Sequence, residues 1–188
     1  VEVVVTTPPS ELPVTLEEAK KYLKIDFDNE DQLIIRLIQS VTDASEKYTG
    51  LSFITKTLTV YGDNWTCEEL PYGPHQSITS VVRVNYDDTE TALTPDEYSQ
   101  TGLKYLTVKC GKSFKISTPW SERNRMKITY VAGFGDQSQV PDGIKVAILK
   151  EVAELYENRE NTLVGTIVAD LSTTSKTLLY QYKRNVLV

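Results

Sequence analysis

The sequence predicts an α+β fold: a helical core of four helices in two pairs, with an antiparallel all-β module inserted between them. Apolar residues recur with a period near 3.6 at both ends of the chain and near 2 in the middle. The strand-like runs gather in one block instead of alternating with helices, which argues for α+β over βαβ winding. Of 188 residues, 40% are hydrophobic and 24% charged, enough apolar material to bury a core. The predicted organisation is an extended N-terminal arm over 1–12, a helical core from 13–50 and 141–188, and the β-module over 51–140.

Residues 1–12 read as extended. Val3, Val4 and Val5 favour strand, and Pro8–Pro9 forbids helix. In "PVTLEEAKKYLKI", Thr15 and Glu18 form a capping box that opens a short helix ending near Lys24. Leu16, Ala19 and Leu23 share its apolar face with Tyr22. "FDNEDQLIIRLIQSVTDASEKYTG" carries the clearest stripe: Leu33, Leu37, Val41, Ala44 and Tyr48, widened by Ile34 and Ile38. Asp28 or Asn29 is the expected N-cap and Gly50 the residue after the end.

From Leu51 the texture changes. "SFITKTLTVYG", "SITSVVRVNY" and "RMKITYVAG" alternate, and "KYLTVKCGKSFKIST" reads as a hairpin bending at Cys110–Ser113. Five or six antiparallel strands are expected. The helical period returns in "VPDGIKVAILKEVAELYENRE", where Pro141 suits the first position and Ile144, Ile148, Val152 and Tyr156 form the stripe. Residues 161–172 lack periodicity, and "TTSKTLLYQYKR" supports a last short helix with Leu178, Leu179 and Tyr182 on one side. The stripes on 30–49 and 141–157 are expected to pack on each other.

Charge argues against a nonspecific grip on DNA. The formal net charge is −6, and residues 1–50 hold 10 acids against 5 bases. Counterion-driven binding needs a basic footprint. A solvated hairpin is the simple reading of Lys104, Lys109, Lys112 and Lys115, with an acidic partner as the alternative. No run approaches the roughly 20 apolar residues of a membrane span, and no signal-peptide pattern is recognised.

The stretch "YVAGFGDQSQVPDGIKVAI" resembles a phosphate cradle only at first sight. Gly143 is followed by Ile144 and Lys145, not by the Lys and Ser/Thr of a phosphate loop. Its distance from Gly135 breaks the dinucleotide fingerprint. A strand end, a turn and a Pro-started helix explain the glycines. Gly133 and Gly135 become candidate hinges.

His75 is the single histidine, which excludes a multi-His metal site, and no G-x-S-x-G elbow accompanies it. It reads as a surface histidine. Cys67 and Cys110 match no metal spacing and read as quiet strand residues. Paired acids such as Glu17–Glu18 and Glu30–Asp31 fit helix starts, and "DFDNED" lacks the glycine of a calcium loop. No catalytic residue, cofactor site or metal site is predicted. A small hydrolase relying on His75, or a binding module in 51–140, remains as an alternative of another class.

The ordered motifs are similar to those of tailed-phage head–tail connector (adaptor, head-completion) proteins. "VVTTPPSELPVTLEEAKKYL" resembles the family's V-V-T-P-P arm followed by P-V-T-L-E-E-A-K-x-x-L. "ASEKYTG", "ITYVAGFG…VPDGIKVAILKEVAELYENRE" and "LLYQYKR" resemble its later motifs in the same order, with Phe134 where the family often has Tyr. The resemblance implies a structural virion protein without catalysis, located at the head–tail interface and assembled in the host cytoplasm. It implies a homo-oligomeric ring, about twelve copies, that binds the portal protein, receives the stopper or tail, and passes DNA through its lumen without specific binding or any membrane. A tail-completion or stopper protein of the same particle is the alternative. Because such families dock C-terminal segments on the portal, Leu178, Leu179, Tyr182, Lys183, Arg184, Val186, Leu187 and Val188 are the expected portal or neighbour interface, and Val3, Val4 and Val5 an arm contact.

Overall fold

The computed structural model describes residues 2–62, 68–84, 88–102, 105–110, 126–158 and 171–184. Two compact units emerge, each assembled from two stretches of chain: a β unit of Val1–Ser10 with Thr55–Gly133, and a helical unit of Glu11–Ile54 with Phe134–Val188. The architecture is α+β.

In the β unit, the strands are β1 (Glu2–Thr7), β2 (Lys56–Gly62), β3 (Glu68–Glu69), β4 (His75–Val84), β5 (Glu90–Ala92), β6 (Tyr98–Thr101), β7 (Thr107–Cys110) and β8 (Met126–Ala132). One sheet has the order β1-β2-β8-β4-β5 and the other β3-β7-β6, and the pairings are antiparallel. Strand β8 shows why the alternation was readable. Met126, Ile128, Tyr130 and Ala132 are buried, while the residues between them are half-buried. Opposite them, Leu58 and Val60 of β2 and Val81 of β4 complete a core with Leu70, Leu106 and Val108. On the other face of the first sheet a threonine ladder crosses three strands: Thr6 to Thr59 at 2.6 Å and Thr59 to Thr129 at 3.1 Å between hydroxyl oxygens.

The arm is thus the edge strand of its own chain's sheet. Val3, Val4 and Val5 lie opposite Val60, Thr59 and Leu58. Of the expected hairpin over 104–118, Thr107–Cys110 forms β7, which pairs with β3 and β6, while residues 111–125 lie outside the described residues. So do Cys67, Lys104, Lys112 and Lys115, and the side chain of Cys110.

His75 overturns the surface expectation. It is only 7% exposed. The Leu106 N–H donates to its Nδ1 at 2.8 Å, so its Nε2 carries the proton and donates to the Pro71 carbonyl at 3.0 Å. The Tyr130 hydroxyl donates to that same carbonyl at 2.8 Å, and the two rings meet edge to face. The imidazole pins the 71–75 turn and the start of the second sheet to the core.

In the helical unit, the helices are α1 (Leu16–Leu23), α2 (Asp31–Thr49), α3 (Asp142–Glu157) and α4 (Thr173–Tyr180). The capping box of Thr15 and Glu18 forms as read. The cap of α2 does not: Glu30 holds the N-cap position with no capping side-chain hydrogen bond, and the Asp28 carboxylate pairs with Lys20 at 2.6 Å. Lys20 also reaches Asp31 at 2.7 Å and so braces the α1–α2 corner. The Glu30 carboxylate instead accepts from the Tyr156 hydroxyl.

Helices α2 and α3 pack together, as their stripes require. The buried face of α2 is rotated from the expected one. Ile34, Leu37, Ile38 and Val41 are buried, whereas Leu33 is 39% exposed. Tyr22 is likewise exposed, not core. Ile144, Ala147, Ile148 and Val152 of α3 meet this face in a core shared with Val14, Ala19, Phe53 and Leu179. Burying such a side chain is worth about 1.5–3 kcal/mol. Pro141 sits at the N-cap of α3, one position before the expected one.

Candidate functional site: the anchored C-terminal segment

The segment expected to meet a partner is bound to its own helical unit up to Arg184. Its first anchor is Glu151, buried on α3 at 2% exposure. The Ser172 backbone N–H donates to both carboxylate oxygens at 3.1 and 3.2 Å, and its hydroxyl donates at 2.7 Å. The Ser172 hydroxyl oxygen also caps α4 by accepting from the Ser175 N–H at 3.3 Å. Ser175 in turn donates to the Ala147 carbonyl at 3.4 Å. Glu151 therefore neutralises the open donors at the start of α4 and fixes that helix on α3.

The second anchor is apolar. Leu179 is fully buried, which takes it out of any surface the folded chain offers. Tyr182 is the third: a Cβ at Gly143 would lie 2.5 Å from its hydroxyl oxygen and 3.1 Å from Cε2. Gly143 lets the tyrosine ring approach the first turn of α3. The fourth anchor closes on α2. The Arg184 N–H donates to the Thr49 carbonyl at 2.8 Å, one of the last carbonyls of α2. Lys183 Nζ stands 4.7 Å from the Tyr48 ring centroid. A cation over an aromatic face contributes about 0.5–1 kcal/mol at such sites.

Of the eight residues expected at an interface, then, Leu179 is core. Tyr182, Lys183 and Arg184 hold the segment in place, and Leu178 is half-buried. Val186, Leu187 and Val188 lie outside the described residues. Tyr180, not singled out from sequence, is the most exposed large apolar side chain of the segment at 65%. Glu151 was also missed. Its signal was present: residue 151 lies three positions after Ile148 and seven after Ile144, so a carboxylate occupies the buried stripe.

The glycine pair also has a defined geometry. Gly133 and Gly135 have φ of 135° and 136°, a region that side chains disfavour. The Gly133 N–H donates to the Pro74 carbonyl at 2.9 Å, within the β unit, and the Phe134 N–H to the Phe53 carbonyl at 3.2 Å, within the helical unit. After Gly135, Asp136 caps a single 3₁₀ turn. The Ser138 hydroxyl, followed by the backbone N–H groups, holds the Asp136 carboxyl below the usual carboxylate range.

Among the described residues no group of three or more His, Cys, Asp or Glu side chains is placed to hold a metal ion. None of the described helices is long and apolar enough to cross a membrane.

Three solved chains share this fold. One is in the neck of an empty gene transfer agent particle computed with C6 symmetry: TM-score 0.80, 17% identity, covering 100% of this chain and 98% of that one. One is in the virion of a native gene transfer agent particle, TM-score 0.78, with the same identity of 17% and the same coverage of 100% and 98%. One is in the neck of the native particle computed with C12 symmetry, TM-score 0.76, again at 17% identity over 100% and 98%. No curated protein sequence matches the chain. The family of head completion proteins matches residues 13–170, from α1 through β2–β8 to α3 and beyond it. With most of its length spanned by that match, the chain belongs to the head completion protein family.

Proposed function

We propose that this chain is a head–tail connector. Copies form a ring under the portal, extend the DNA channel and receive the stopper or tail. The observation that carries the reading is the family match over 13–170, on a fold whose full length is shared with neck proteins of gene transfer agent particles. A net charge of −6 supports it, because a channel wall should repel the DNA it passes.

Within that reading the portal-facing surface is the exposed side of α4, with Leu178 and Tyr180, and the residues that follow Arg184. The anchors described above hold α4 in one place, so binding does not have to order that helix. The experiment is reconstitution: the purified chain is mixed with its portal and viewed by electron microscopy. A ring of density on the portal is the expected result. A chain that stays monomeric with the portal and is missing from purified particles would refute the proposal.

A further inference from the structure

We infer that the two open edges of the five-stranded sheet are the two halves of a joint between neighbouring copies: β1 of one copy adds to the 76–80 stretch of β4 in the next. This rests on the connector reading, which requires the chain to meet itself head to tail. A closed ring of that kind uses two different patches on each copy. The β unit offers two, one at each side of one sheet.

The first edge is β1. It pairs with β2 on one side and, among the described residues, with no strand on the other. It reads Glu-Val-Val-Val-Thr-Thr, with no lysine or proline inside it to discourage pairing. Val5 lies opposite Leu58, hence on the core face, yet it is 50% exposed while Leu58 is 1% exposed. The core stops short at this edge. Val4, on the other face, is 42% exposed.

The second edge is on β4. Strand β5 covers β4 only at Val82, Arg83 and Val84, and the Leu93 N–H extends that cover to Val81. Residues 76–80 have no outer strand among the described residues, and Gln76, Ser77 and Thr79 are exposed. Ile78 in this stretch is half-buried against the same core. Each edge therefore presents incompletely covered apolar side chains on the core face, Val3 and Val5 at one side and Ile78 at the other.

Strand direction selects β4 over β5 as the acceptor. Directions alternate through β1, β2, β8, β4 and β5, because every pairing is antiparallel. If the sheet continues into the next copy, β1 runs opposite to the neighbour's β4 and along its β5. Only β4 gives the antiparallel ladder that the rest of the sheet uses. The three residues of β5 are also too few to template the six of β1. Strand addition of this kind takes its affinity from main-chain hydrogen bonds and its register from alternate side chains.

The test uses disulfide trapping in the full chain with Cys67 and Cys110 replaced by serine. Val4→Cys is combined with Ser77→Cys in one variant and with Thr79→Cys in another. Within one copy β1 and β4 are separated by β2 and β8, about 14 Å at the usual strand spacing, too far for a disulfide. A bond can form only between copies. Oxidation of the portal-bound assembly should give a ladder of covalent multimers with at least one variant. The control, Val4→Cys with Thr91→Cys on β5, should give none. Val5→Lys should shift the assembly to monomer with an unchanged circular dichroism spectrum; if it perturbs folding, the ladder decides alone. A wild-type chain that assembles on the portal, with no ladder from either variant, overturns the joint and leaves the connector reading standing. A wild-type chain that never assembles overturns both.

Discussion

At Gly143 the usual propensity rule reverses. Replacing a glycine by alanine within a helix normally gains about 1 kcal/mol. Here the new Cβ would sit 2.5 Å from the Tyr182 hydroxyl oxygen and 3.2 Å from Cζ, and the rigid ring must move. Gly143→Ala is expected to cost about 1–3 kcal/mol in the wild type, the usual range for overpacking. In a Tyr182→Ala background the same change should gain stability. Urea unfolding of the four proteins measures the coupling, and equal effects in both backgrounds would remove the packing explanation. The glycine was conspicuous in the sequence, but its reason was not, because its partner lies 39 residues further along.

Lys20 and its acids set an expected pH response. The hydrogen bond from Lys20, then its charge, lowers the Asp28 pKa in the folded chain. A carboxylate with a depressed folded pKa stabilises the fold above the unfolded value of about 3.9. That contribution disappears as pH falls through the folded pKa. Asp28→Asn should therefore lower the melting temperature near neutral pH, and its curve should converge with the wild type in acid. Curves that stay parallel down to low pH would show that the pair is energetically silent, as many exposed pairs are. Lys20 responds at the opposite limit. Its raised pKa, due first to Asp28 and then Asp31, keeps its contribution until the solution becomes strongly alkaline.

Among the elements, α4 is the one whose start is held by a buried carboxylate. Its eight residues are too few for stability on their own. Glu151 accepts from the Ser172 N–H and hydroxyl, so Glu151→Ala leaves a half-buried N–H without its acceptor, at about 1–3 kcal/mol. The expected signature is local: amide exchange in 173–180 should accelerate before that of α2 and α3. Glu151→Gln keeps one acceptor oxygen and should fall between. Exchange that rises uniformly through the helical unit would mean that the carboxylate supports the whole core instead of one helix.

Elements also show how far periodicity reaches. The stripe located α2 and α3 and their mutual packing, yet it assigned Leu33 inward. An α-helix of 19 residues has enough apolar side chains to accept several rotations about its axis. Contact with α3 chooses the one that buries Ile34 and Ile38 and leaves Leu33 at the surface. The cap of α2 failed for a related reason. Asp28 is a good capping residue in isolation, but Lys20, eight positions earlier, competes for its carboxylate.

At the scale of the molecule the chain crosses between its units after Ser10, Ile54 and Gly133. The last crossing carries Gly133 and Gly135, both at positive φ, and we propose that it acts as a hinge during assembly. Alanine at both positions costs about 1 kcal/mol or more each through backbone strain. The informative readout is a difference: ring formation on the portal should fail at temperatures where the variant monomer remains folded. Loss of both together at the same temperature would argue against a hinge.

The sequence by itself determined the class of the fold, the order of its elements, the capping box that starts α1 and the alternation of β8. Those features are written in neighbours a few residues apart, where capping and periodicity operate. Only the tertiary structure decided what long-range pairing controls. It made the N-terminal residues an edge strand, buried His75 between Leu106 and Pro71, and used Glu151 to hold α4. It also buried Leu179 and set Tyr182, Lys183 and Arg184 in contact with Gly143, Tyr48 and Thr49 of their own chain. A polar or aromatic side chain has the same local signature whether it meets water, a partner or a distant segment. Which of these it meets depends on where the folded backbone leaves a donor, an acceptor or a gap the size of a missing Cβ.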